Sequence, residues 1–197
     1  MNFNFNVSEL IFVMPELFLL AAISCILLFD LYVKEELKKF TYHLSQLALL
    51  ITGLLAFNLI GESATIFSGT FVLDTLGSTF KVFIAGFSII ALVYSRHYLS
   101  VHGLIRNEYF ILALMSILGM LVMVSGHSLL TLYLGLEIMS LSLYALIATA
   151  RDRAFAIEAA LKYFVLGAIA SGLLLYGMSM IYGITGNLDI AQIASFA

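Results

Sequence analysis

A single cysteine among 197 residues removes two classes of chemistry at once. Cys25 has no second thiol for an internal disulfide, and an iron–sulfur cluster, which takes about four ligands, has no ligand set. Charge is scarce, with Asp, Glu, Lys and Arg together at 11%. No soluble domain, linker or low-complexity segment interrupts the chain, and there is no nucleotide-binding loop. His97 and His102 share a loop at a spacing that suggests no metal site. Neither a bound metal nor a nucleic-acid partner is expected, and the net charge of −3 adds little. What fills the chain instead is apolar: 62% of residues, with a mean hydropathy of +1.09. Soluble domains hold about 45–50%, so the lipid bilayer must be the solvent for this surface.

Windows of about 20 apolar residues predict an all-α, polytopic bundle of about six spans, near 9–32, 41–61, 76–98, 108–126, 128–149 and 156–183. Span three is diluted by Ser78, Lys81 and Ser88. Only Ser125-Gly126-His127 separates spans four and five, enough for a tight interhelical turn. Asn2, Asn4, Asn6 and Ser8 form a short polar lead-in. The first span, lacking a basic leader and a small-residue cleavage site, reads as a retained helix. In the weakly polar tail from Gly183 to Ala197, Asn187 or Asp189 is placed to cap a short surface helix. The loops after spans one, three and five carry Lys34, Lys38, Lys39, Arg96, Arg106, Arg151 and Arg153, and those after spans two, four and six carry no basic residue. That asymmetry predicts an N-terminus outside and the odd loops in the cytoplasm.

Glu137 lies mid-span in Leu-Tyr-Leu-Gly-Leu-Glu-Ile-Met-Ser-Leu-Ser-Leu-Tyr, with no other charge for at least nine residues on either side. Inserting a carboxylate there costs roughly 2.5–3.5 kcal/mol on translocon scales. Tyr133, Ser140 and Tyr144 fall on its helix face at i−4, i+3 and i+7, and such a polar stripe must face protein or water. Two readings fit: a protonated acid that glues helices, or a proton-titrating group tuned by burial and by nearby cations. Lys162 is the cation to consider. At about 1.5 Å per residue it lies roughly 9 Å from the cytoplasmic side against about 18 Å for Glu137, so a water-bridged relay is expected and not direct contact. Its alternatives are an i,i+4 pair with Glu158 or snorkelling to the surface.

The remaining polar residues read as structural. Glu16 after Pro15 suits the first turn and positive dipole end of span one. Asp30 and Lys34 are i,i+4 partners, Lys81 is close enough to the outer boundary of span three to snorkel, and His127 satisfies loop backbone. Gly167, Ser171, Gly172 and Gly177 are small residues that permit close helix packing.

The runs His127-Ser-Leu-Leu-Thr-Leu-Tyr-Leu-Gly-Leu-Glu137-Ile-Met-Ser-Leu-Ser-Leu-Tyr-Ala145 and Glu158-Ala-Ala-Leu-Lys162-Tyr-Phe-Val-Leu-Gly-Ala-Ile-Ala-Ser-Gly172, with Tyr-Gly-Ile-Thr-Gly-Asn-Leu-Asp189 beyond, resemble the antiporter-like membrane subunits of respiratory complex I. The second run, together with Pro15-Glu16-Leu and Asp30, is most similar to the subunit N family. The resemblance implies a proton-translocating membrane subunit of NADH:quinone oxidoreductase, set in a bacterial inner membrane with its N-terminus periplasmic. It implies Glu137 and Lys162 as proton-translocating groups; Tyr133, Ser140 and Tyr144, placed on the Glu137 face by their spacing, are the further candidates for lining the path. It implies no cofactor on this chain: NADH, FMN, iron–sulfur clusters and quinone belong to partner subunits, and the chain's own partners are other membrane subunits and lipid. Family members have fourteen helices with two inverted five-helix repeats. On that pattern residues 1–107 are three leading helices and 108–197 the first three helices of one repeat, truncated. A cation/proton antiporter or membrane-bound hydrogenase subunit, or a non-functional remnant, are the alternatives.

Overall fold

The computed structural model describes residues 7–32 and 40–196. A 3-10 segment, Val7–Val13, leads into α1 (Met14–Tyr32). Then come α2 (Phe40–Asn58), a hairpin of β1 (Ala64–Ile66) and β2 (Phe71–Leu73), α3 (Thr75–Val101), α4 (Asn107–Ser125), α5 (Leu129–Ala148), α6 (Ala154–Thr185) and α7 (Ile190–Phe196). Six of these helices are long and apolar enough to cross a membrane. All six expected spans are present, and the three-residue turn between α4 and α5 is where the sequence places it.

Local chemistry sets the ends. Pro15 sits in the first turn of α1, where its missing N–H would have had no helical partner. Asp74 accepts from the Gly77 N–H at 2.7 Å to start α3, and Ser128 accepts from the Thr131 N–H at 3.1 Å to start α5. Asp189 does the same for α7 through the Gln192 N–H at 3.0 Å, so the short helix expected in the tail exists. Gly186 ends α6 in the left-handed region at φ 68°, its N–H donating to the Tyr182 carbonyl at 2.7 Å.

α4 is the central helix, packed against α1, α2, α3 and α5. Its Phe110, Leu114, Ile117 and Leu121 form the core with Leu19 of α1 and Leu49 of α2. The α4–α5 contact is the closest in the bundle. A Cβ added to Gly119 would lie 2.6 Å from the Gly135 carbonyl oxygen and 2.5 Å from the Met139 nitrogen, so the two backbones touch. Buried hydroxyls in α2 are satisfied within their own helix: Ser45 donates to the Thr41 carbonyl and Thr52 to that of Ala48, each at 2.8 Å.

The sequence reading contained no strands. The hairpin pairs Ala64 with Leu73 and Ile66 with Phe71 in antiparallel register. It closes one end of the bundle, where Phe71 bridges to Gly126 and the His127 N–H donates to the Thr70 carbonyl at 3.0 Å. The His127 carbonyl also accepts from Ile190, so this residue does satisfy loop backbone. The opposite, basic end is tied by Arg151 donating to both oxygens of Glu108 at 2.9 and 2.8 Å and by Arg106 to Asp152 at 2.5 Å. Asp30 accepts there from Thr41 at 3.0 Å and Asn107 at 2.6 Å; its expected partner Lys34 lies outside the described residues.

α6 differs from the other spans. Ala160 is its one buried residue. The small-residue packing expected along it holds for Gly167 alone, where a Cβ would overlap the Tyr144 hydroxyl; Gly172 and Gly177 have no described neighbour within 4 Å of such a Cβ. α6 meets α5 along one face and leaves most of its remaining surface open.

Candidate functional site

Glu137 sits half-buried near the middle of α5, eight residues from its start. The Ser171 hydroxyl of α6 donates to its Oε1. The Tyr133 hydroxyl, one turn earlier on the same face of α5, lies 3.0 Å from Ser171 Oγ. With the Ser171 proton directed to the carboxylate, its oxygen is left to accept from Tyr133. The result is a short run of hydroxyl protons ending on a carboxylate between two apolar helices. Charge-assisted bonds of this kind are the strong ones, and in a low-dielectric setting each bond polarises the next. Such a run can receive a proton at one end and release it at the other without moving a side chain far.

The stripe predicted on α5 is therefore partly engaged. Tyr144 packs edge-on against Tyr163, with ring centroids 4.7 Å apart, and against Phe164 at 5.7 Å. Its hydroxyl abuts Gly167. Ser140 is half-buried on the same helix. Ser171, read from the sequence as a packing residue, instead supplies the hydrogen bond to Glu137. Spacing along α5 alone does not mark which hydroxyl of α6 faces Glu137.

Lys162 does not touch Glu137. Its Nζ pairs with Glu158 at 2.6 Å, the i,i+4 partner, and the two side chains are 71% and 63% exposed. Along α6 it is nine residues from Ser171, roughly 13 Å. The absence of direct contact is as expected, and the i,i+4 pair with Glu158 is the structural alternative named for Lys162.

A second charge pair corrects the sequence reading. Lys81 does not snorkel. Its side chain is 0% exposed, and its Nζ lies 2.5 Å from Oε1 of Glu16, whose side chain is 5% exposed. The Phe71 ring stands 5.1 Å from the same Nζ, a cation–π distance. Lys81 is buried because the hairpin folds β2 over the start of α3 and shuts off the route to the membrane surface. Glu16 occupies the first turn of α1 as expected, but its carboxylate turns inward to the lysine and is no mere dipole cap. Opposite charges near the same ends of spans one and three were the available signal.

With this geometry in place, relatives can be compared. The family described as NADH:quinone oxidoreductase/Mrp antiporter, TM, matches residues 126–197, which contain the whole Glu137–Ser171–Tyr133 cluster. The NADH-quinone oxidoreductase subunit N of Ruthia magnifica is 66% identical over 98% of this chain and 40% of its own length. This chain is a relative of subunit N. The subunit N of Alkalilimnicola ehrlichii is 49% identical over 93% of the chain and 38% of its own length. The chain thus spans about 40% of these subunit N relatives. Among solved structures, respiratory complex I from Thermus thermophilus with bound aureothin superposes with a TM-score of 0.74 at 27% identity, covering 90% of this chain and 38% of that one. The membrane-bound sulfane sulfur reductase, an archaeal respiratory membrane complex, gives 0.79 at 25% identity, covering 94% and 40%.

Proposed function

We propose that this chain forms part of the proton-translocating path of an NADH:quinone oxidoreductase membrane subunit. The observation that carries the reading is Glu137, a carboxylate at mid-helix that takes a hydrogen bond from Ser171 and, through it, joins Tyr133. An intramembrane carboxylate with a hydroxyl chain marks a proton relay before it marks a structural site. The names of the relatives supply the coupling partner reaction.

In this reading Glu137 holds the proton, and Ser171 and Tyr133 extend the path along the α5–α6 seam. Ser140 and Tyr144 line it. Lys162 sets the local field, exchanging Glu158 for a more distant influence on Glu137 as the assembly turns over. The leading helices, 1–107, hold the first part of the repeat, 108–197, against the bilayer. Electron transfer from NADH through flavin and iron–sulfur clusters to quinone is work for partner subunits, and other membrane subunits are the contacts of α6's open face. The basic end faces the cytoplasm of a bacterial inner membrane, with the N-terminus periplasmic.

A second reading, a subunit of another proton- or cation-coupled membrane complex, is favoured by the fold match to the sulfane sulfur reductase. The identities of 66% and 49% to subunit N weigh for NADH and quinone. Affinity purification of the native membrane assembly through a tag on this chain separates the two. Quinone reduction driven by NADH in the purified assembly is the expected result, and an assembly that turns over only with another electron donor would favour the second reading.

A further inference from the structure

Four buried side chains at the hairpin end have unused hydrogen-bonding capacity. Among the described residues, the Glu16–Lys81 ion pair leaves hydrogen-bonding positions of both groups unused, and the Ser78 and Ser125 hydroxyls have no partner. The other such group, Gln46 Oε1, belongs to α2. Ser78 lies one turn before Lys81 on α3, on the same face. Ser125 ends α4 directly before Gly126, which bridges to Phe71, the residue whose ring faces Lys81 Nζ. α3 and α4 close on each other here: a Cβ on Gly77 would lie 3.5 Å from a Val124 methyl. The four groups therefore converge on one corner formed by α1, α3, α4 and β2.

Buried polar groups are normally paired. A lysine carries three donors and a carboxylate about four acceptor positions, so one mutual contact leaves most of both unused. The ligand that completes them must donate and accept at once. An anion would meet Glu16 and a cation would meet Lys81, so the charge balance selects a neutral molecule of small size. We propose that Glu16, Ser78, Lys81 and Ser125 form a water-binding site, which makes the Glu16–Lys81 pair a hydrated charge centre. Lys81 is six residues from the start of α3 and Glu137 eight from the start of α5, about 9 and 12 Å from the same end. The hydrated pair stands at nearly the level of Glu137, with α4 between them.

The test is a cryo-electron microscopy map of the native membrane assembly, at a resolution that shows ordered water, for the wild type and for Ser78→Val. Expected is a water within about 2.6–3.2 Å of Lys81 Nζ and of Ser78 Oγ or Ser125 Oγ, displaced or lost in the variant. A protein side chain or lipid head group filling those positions would overturn the proposal, as would a dry corner in which the two hydroxyls bond to backbone. If the variant fails to assemble, the wild-type map alone decides.

Discussion

Two carboxylates inside the spans, Glu137 and Glu16, are held in opposite ways. Glu137 is half-buried and takes a neutral hydroxyl proton from Ser171, whereas Glu16 is buried against a full positive charge. Ser171→Ala removes a bond to an acid group worth about 1.5–3 kcal/mol when ionised, so proton uptake by the assembly should slow while the subunit still assembles. Ser171→Thr, which keeps the hydroxyl, should retain most of the rate. Infrared difference spectra of the Glu137 carboxyl band read the lost bond directly. For the second pair, Lys81→Met or Glu16→Gln alone strands a buried group and should destabilise by about 3–5 kcal/mol. The double variant should recover much of this. Thermal inactivation of the assembly, followed for the single and double variants, measures the difference, and equal losses in all three would contradict an ion-pair role.

At the scale of elements, α4 and α5 meet through their backbones. Gly119→Ala forces a methyl group to within 2.5–2.6 Å of backbone atoms of α5, and neither helix can shift without disturbing the core around Leu114 and Leu121. A loss of about 1–3 kcal/mol or more follows from such overpacking, visible as less intact assembly on native gels. Gly86→Ala in α3, whose added Cβ meets nothing within 4 Å, serves as the control. The spans were legible in the sequence because apolar length is the strongest signal a membrane helix gives, and Asn187 and Asp189 pointed to the start of α7. The hairpin was not legible. Its strands are three residues each, too short for alternation to register, and of the three consecutive positive-φ residues in the connection, Phe67, Ser68 and Gly69, only the last is the usual glycine signal. Missing the hairpin also hid the fate of Lys81, since only a folded β2 closes its way to the surface. Glu137 and Tyr133 were legible through helical spacing, but Ser171 was not, because spacing along one helix says nothing about which residue of the next helix faces it.

The whole molecule has two unlike ends, one closed by the hairpin and the turn at 126–128, the other holding Arg106 and Arg151 with their acidic partners and Arg153, which donates to the His102 carbonyl at 3.1 Å. Exposed pairs such as Arg106–Asp152 contribute little stability, so the charge there sets direction more than strength. With Cys25 replaced by Ser, Glu62→Cys should react with a membrane-impermeant maleimide from the periplasmic side, and His102→Cys only after the membrane is opened. The reverse pattern would invert the orientation. The molecule also has an open flank, the exposed surface of α6, beside the Glu137 seam, so Glu137 lies next to the surface that further helices or subunits would cover. The measurement that bears most directly on the proposed role is the ratio of protons taken up to NADH oxidised in inverted membrane vesicles carrying Glu137→Gln. A clear fall in this ratio with the assembly intact is the expected result. An unchanged ratio would contradict a proton-carrying role for Glu137.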